Sequence, residues 1–255
     1  MHKACTNYAY ARSVQHSFTP EATKIAAAGL TFLALALAAL PARAQVETFS
    51  LPPGCEAFLT VQGADCSVDH HFTCTGDPEG HKQRISLDER GITYLGTTDA
   101  QTQWISSFHP LSGHSERLGD SPADPANLDE LLANGRDSYD FLTLSEEVGE
   151  TRYVGQDRLT GRVITIDEVD LQETEFNITA YDADGTEMWS TRGNEFVSAD
   201  WRMFLAGTGV TTTPEDRFER DGSPVEFIFP GETGFLSANP KHGCGVVTSS
   251  FEVGQ

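Results

Sequence analysis

Thr174, Phe176, Ile178 and Ala180 alternate with Glu175, Asn177, Thr179 and Tyr181, and this two-residue rhythm recurs along most of the chain. A period of two sends successive side chains to opposite faces of a strand, so these segments read as half-buried β-strands. Further strands are expected over residues 56–62, 66–74, 82–87, 92–97 and 103–108, the last with Trp104 on its buried face. The series continues at 139–144, 151–156, 162–167, 187–191, 201–205, 225–229 and 245–252. Turn residues divide the strands at Asp77-Pro78-Glu79-Gly80, Asp88-Glu89-Arg90-Gly91, Leu159-Thr160-Gly161 and Asp182-Ala183-Asp184-Gly185. The last of these lacks the remaining acids of a calcium loop, and Ala206-Gly207-Thr208-Gly209 lacks the third glycine of a dinucleotide loop; both read as turns.

One helix interrupts the pattern. Asp124 suits its N-cap, Pro125 its first position and Gly135 its end, with Leu128, Leu131 and Leu132 on one face. Short connections favour neighbouring strands pairing in order. The expected fold is therefore all-β, an antiparallel meander forming a curled sheet or barrel with one short helix. A two-layer β-sandwich is the alternative.

The chain opens on a different composition. Lys3, Arg12 and Lys24 stand against one acid, Glu21, before the apolar run from Ile25 to Leu40, and Ala42-Arg43-Ala44 follows Pro41. Basic, apolar and small-x-small regions in that order mark residues 1–44 as a secretory signal, cut between Ala44 and Gln45. The apolar run is shorter than the ~20 residues that cross a bilayer comfortably, which disfavours the alternative of an uncleaved N-terminal anchor. Cleavage leaves residues 45–255 as a single antiparallel β domain in the periplasm, with no stable membrane span.

Of 17 basic and 38 acidic residues, the first 44 positions hold four and one, so 13 and 37 remain, a formal charge of −24. A surface this acidic repels phosphate backbones, which excludes nucleic acid as a partner. The acids are dispersed along the chain, as on a solvated surface.

Four cysteines survive cleavage: Cys55, Cys66, Cys74 and Cys244. In an exported chain they make two disulfides. If Cys66–Cys74 is one extended strand, eight residues at ~3.3 Å separate its ends far beyond disulfide reach. A hairpin turning near Gly63-Ala64-Asp65 favours Cys55 with Cys74 and Cys66 with Cys244, over Cys55 with Cys66 and Cys74 with Cys244.

The histidines carry the remaining chemical signal. His70, His71, His109, His114 and His242 are the candidate metal ligands, yet no His-Glu-x-x-His or Cys-x-x-Cys spacing is present. On one strand His70 and His71 point to opposite faces. One is expected to be partly buried and hydrogen-bonded and the other exposed, with no metal assigned. No Gly-x-Ser-x-Gly elbow appears either. No catalytic residue and no cofactor is assigned, and the chain reads as non-enzymatic.

The segments Asp69-His70-His71-Phe72-Thr73-Cys74-Thr75-Gly76-Asp77-Pro78, Gln101-Thr102-Gln103-Trp104 and Lys241-His242-Gly243-Cys244-Gly245 resemble an uncharacterised family of exported proteins from marine alphaproteobacteria. That resemblance implies periplasmic export and brings no activity. The expected function is non-enzymatic binding of a small apolar ligand or an envelope component. The alternatives are a structural or protein-interaction module of the envelope and a histidine-based metal-dependent enzyme.

Overall fold

The computed structural model describes residues 47–245, within the compact unit Ala44–Gln255. The predicted signal segment, its cleavage site at Ala44–Gln45 and most of the expected strand at 245–252 lie outside the described residues.

The described chain is almost entirely strand. It runs β1 (Cys55–Gly63), β2 (Val68–Cys74), β3 (Lys82–Asp88), β4 (Gly91–Thr98), β5 (Trp104–His109), β6 (His114–Leu118), α1 (Leu128–Asn134) and β7 (Arg136–Ser145). It continues β8 (Gly149–Ile166), β9 (Val169–Tyr181), β10 (Glu187–Ser198), β11 (Met203–Leu205), β12 (Thr208–Thr212), β13 (Arg217–Asp221) and β14 (Pro224–Ile228). All fourteen strands form one antiparallel sheet in the order β13-β12-β10-β9-β8-β7-β6-β5-β4-β3-β2-β1-β14, with the short β11 also paired to β10. From β1 to β10 each strand pairs with the next, so the meander holds throughout that span.

The expectation of a curled sheet stands, but the barrel does not close, and the sandwich alternative gives way to one continuous sheet. Only Gly222 and Ser223 separate β13 from β14, although these strands are the two edges of the sheet. That link brings the edges together at one corner, where the Ala64 amide donates to the Ser223 carbonyl (2.9 Å) and Arg220 pairs with Asp65. The edges do not ladder beyond it. β13 is exposed throughout and alternates Arg217, Glu219 and Asp221 along one side, a charged edge that resists further strand pairing.

Leu59 and Val61 of β1 and Phe227 of β14 pack against Leu171, Phe196, Met203 and Leu205 of β9 to β11. The first strands thus meet the late ones through a shared core. A second cluster, Val68, Phe72, Ile85 and Leu87, is covered by Phe49, Leu51, Phe235 and Leu236. The two ends of the described chain therefore lie over the outer face of β2 and β3.

Several local expectations change. Leu159-Thr160-Gly161 is not a turn between two strands but a bulge inside β8, where the register with β9 shifts between Leu159 and Val163. Gly161 adopts φ +81°, so the extra residues are absorbed without breaking the strand. β6, β12 and β13 are strands that the alternation did not single out, because charged and small residues occupy both of their faces. Cys66 lies before β2 with φ +60°, so the 66–74 stretch is not extended throughout. Trp104, the first residue of β5, faces inward against Phe141 and Tyr153 but remains 42 % exposed.

The helix begins later than expected. Asn127 is its N-cap, its Oδ1 accepting the Glu130 amide at 3.0 Å, and Gly135 closes it at φ +74°. Asp124 instead bridges to Asp140 through paired backbone bonds of 2.7 and 2.9 Å. Leu128 and Leu131 bury against Val197, Leu159 and Phe204. Asn127→Ala is expected to cost about 1 kcal/mol, read as a lower urea midpoint at unchanged m-value.

Candidate functional site

Register determines which side chains share a face. His71, Arg84, Gly96, Ser107 and Glu116 form one cross-strand row over β2 to β6. On that same side stand Asp137, Tyr139, Phe141 and Thr143 of β7, Tyr153 and Asp157 of β8, and Glu195 of β10. Arg84 of β3 and Glu195 of β10 are remote in the sheet order yet are charge neighbours. This face is therefore the concave one, folded until its two halves oppose each other.

Its lower half is an aromatic core. Tyr139, Phe141, Tyr153, Ile178 and Ala180 are buried together. Phe141 stacks on Tyr153 at 5.4 Å, and Trp104 meets both edge-on at 5.7 and 5.3 Å. These side chains pack directly on one another.

Its upper half is ionisable. Asp157 is 7 % exposed, and its carboxyl has no hydrogen bond or ion pair among the described residues. Burial, then the negative charges of Glu195 and Asp137, push its carboxyl up to about 8. Burial also lifts Glu195 to about 7, against the pull of Arg84. Asp137 rises to about 6, chiefly by burial and despite accepting the Asn127 amide at 2.8 Å. Asp157 and Glu195 therefore hold protons at or near neutral pH, because the loss of water outweighs what Arg84 gives back to Glu195. Arg84, the positive group among them, also lies over the Tyr94 ring at 4.6 Å and has Asp69 as a neighbour.

The five candidate histidines do not gather. His70 and His71 do face opposite ways, but both are buried, at 0 % and 5 % exposure, so the expected exposed histidine is absent. The reason is that both faces of β2 are covered. His70 stacks on Phe49 at 5.4 Å and its Nδ1 meets Thr60 Oγ1 at 3.0 Å, while His71 lies on the concave side beside Phe58. Burial lowers both rings to about 4 and keeps them neutral. His242 is in the C-terminal segment, its Nε2 3.5 Å from Glu226 Oε2. His109 and His114 are direct partners on β5 and β6, with ring centroids 5.9 Å apart. Among the described residues, the donors that converge within 4.8 Å as a set of three are those of Cys66, Glu89 and Cys244. Both of those sulfurs are already bonded. The disulfides join Cys55 to Cys74 and Cys66 to Cys244.

On the opposite, outer face a groove of about 480 Å³ crosses β8, β9, β10 and β12. Gln156, Asn177, Arg192 and Val210 are successive cross-strand partners there, flanked by Arg158 and Glu175. Arg158 pairs with Glu175, and Arg136 donates to Gln156 Oε1 at 2.6 Å. Arg192 has no hydrogen-bond or ion-pair partner among the described residues, and it lines the groove.

Sequence reasoning missed Arg84, Glu116, Asp137, Asp157, Arg192 and Glu195. A signal existed for some of them. Asp137 is in phase with Tyr139 and Phe141, and Asp157 with Tyr153, so each places a charge where its strand's inward alternation calls for an apolar residue. Among the described residues no helix is long and apolar enough to cross a membrane. No protein-family model, curated protein or solved structure matches the chain.

Proposed function

We propose that this is an exported periplasmic protein that binds a small carboxylate-bearing ligand, without catalysis, in the outer groove of β8 to β10 and β12. The observation that carries this reading is Arg192, a guanidinium without a carboxylate partner in a groove of about 480 Å³. That volume falls within the range of small-molecule sites. A planar guanidinium matches a carboxylate in two parallel hydrogen bonds, and the amides of Gln156 and Asn177 beside it suit hydroxyl groups. The net acidity of the chain does not prevent this. Exposed charges are screened beyond about 8 Å at physiological ionic strength, so the local guanidinium groups decide.

The lining favours a polar ligand over the apolar one expected from strand alternation, since the inward apolar side chains pack on one another. The export reading is supported by the two disulfides, by the signal-like composition of residues 1–44 and by the resemblance to exported proteins of marine alphaproteobacteria.

Titration calorimetry with galacturonate, citrate and glucose tests this. The two carboxylates are expected to bind and the neutral sugar to bind far more weakly. Arg192→Gln should weaken carboxylate binding by about tenfold, the worth of one charge-assisted hydrogen bond. Equal affinity of Arg192→Gln and the parent protein, or no carboxylate binding at all, would refute the reading.

A further inference from the structure

We infer that His109, His114 and Glu116, at the β5–β6 end of the concave face, form a divalent-metal site of the zinc class. The inference rests on hydrogen-bond roles. Ser145 Oγ lies 2.8 Å from Glu147 Oε2 and 3.2 Å from His114 Nδ1. A carboxylate can only accept, so the single hydroxyl proton of Ser145 goes to Glu147, and Ser145 must accept from His114 Nδ1–H. The Nε2 atom of a neutral His114 then carries a lone pair, 3.5 Å from Glu116 Oε1. That lone pair and the Glu116 carboxylate face the same space, which a cation, either a metal ion or a second ring proton, can fill.

Glu116 is held for this role. Its Oε1 accepts from Thr143 Oγ1 at 2.9 Å and from Tyr153 OH at 3.0 Å, and Ser107 Oγ reaches Oε2 at 3.4 Å. Outer hydrogen bonds of this kind orient metal ligands, and Ser145 does the same for the His114 ring. The third donor is His109, directly opposite His114 in the strand register. Directly opposed positions place Cβ atoms about 5 Å apart, near enough for two imidazoles to share one ion. The His109 ring has no hydrogen-bond partner among the described residues and packs against the edge of Tyr94 at 5.2 Å. The three donors do not yet converge within 4.8 Å. Closing the site requires the stacked His109 ring to turn toward Glu116 and His114.

Two imidazoles and one carboxylate are the donor set of an open zinc site, which leaves a fourth position for water or ligand. The hairpin geometry supplies the two rings, and the polar rows of β5 to β8 supply the carboxylate with its supports. The site is separate from the outer groove, and its failure would leave the carboxylate-binding reading untouched.

The test is zinc binding to the full chain after chelator treatment, by calorimetry and by metal analysis of the dialysed protein. Cobalt(II) absorption serves as a report of geometry. The expected result is one zinc per chain with Kd below about 10 µM and a tetrahedral cobalt spectrum. His109→Ala should weaken binding by about 100-fold while the apo chain stays folded, since the His109 ring makes no hydrogen bond among the described residues and its carbonyl contacts survive the substitution. Zinc binding that is indifferent to His109→Ala would overturn the site, as dispersed surface carboxylates would then hold the metal. No zinc binding, with NMR showing His114 doubly protonated at neutral pH, would equally overturn it by identifying a proton as the cation.

Discussion

Replacing Cys66 and Cys244 together by serine lowers the free energy of unfolding by about 5 kcal/mol, the chain-entropy value for so long a loop. The bond spans 178 positions and ties the end of the described chain to the β1–β2 turn. What it holds in place is a layer. The Gln62 side chain, fully buried, accepts the Lys241 amide at 2.9 Å and donates to the Asn239 carbonyl at 3.3 Å. Thr60 Oγ1 accepts the Leu236 amide at 3.0 Å, and the Cys66 amide donates to the His242 carbonyl at 2.9 Å. Phe235 and Leu236 add apolar contact with β2 and β3, but residues 239–245, which run on to the disulfide, carry few apolar side chains of their own. The crosslink therefore does work that burial alone does not do for this segment. Urea denaturation under non-reducing conditions measures the loss, and native-state hydrogen exchange should show early opening at Leu236 and Lys241. A variant within about 1 kcal/mol of the parent would show that the segment docks without its staple, contrary to the loop-entropy argument.

The second large effect is on pH dependence. Asp157→Asn is expected to stabilise the protein by on the order of 2 kcal/mol at pH 9, and to change it by less than about 0.5 kcal/mol at pH 3. In the folded chain this carboxyl sits at about 8, against an ordinary value of 3.8, so folding takes up a proton between those limits. The stability due to that proton is complete below about pH 4 and disappears as pH rises through 8. Glu195 contributes in the same sense, with its loss running from about 4.5 to about 7. His70 and His71 act oppositely. Held at about 4 against 6.5, they destabilise the fold below pH 6.5, where the unfolded chain is protonated, and are without effect above it. From pH 6.5 to 9 the carboxyl contributions therefore stand alone, and wild-type stability should fall. The groups facing Asp157 are Glu195, Asp137 and Tyr139, with Arg84 beyond Glu195. Asparagine keeps the shape of Asp157 and removes its charge from that group. Melting temperatures of both proteins across the range decide the matter, and parallel profiles would assign the pH response elsewhere.

Much of the architecture is local and was legible. The alternation from Thr174 to Tyr181, the Asp88–Gly91 turn and the Gly135 stop depend on backbone geometry within a few residues, and each is where the chain pattern places it. The helix start was misread because Asp124-Pro125 carries capping chemistry as good as that of Asn127. The choice went to Asn127 once Asp124 could bridge to Asp140 in the neighbouring strand. The bulge at Leu159–Gly161 reads as a turn in sequence, since a left-handed glycine serves both, and only the continuing pairs Val163 with Gln172 and Ile166 with Val169 distinguish them.

The candidate sites were less legible. His109 and His114 are close in sequence, and a hairpin alone opposes them. Glu116 acquires its role from Thr143 and Tyr153, which are brought up by later strands. Asp157 and Glu195 become a perturbed pair only when β8 and β10 curl toward β3.

The sequence by itself determined most of the strands and their faces, most of their turns and the supply of cysteines, because side-chain alternation and backbone preference act over a few residues. Tertiary structure alone decided that the sheet stays open, that both His70 and His71 are buried, and that Arg84 faces Glu195. Those outcomes follow from twist accumulated over many strands and from terminal segments folding back over the sheet. No local pattern carries either.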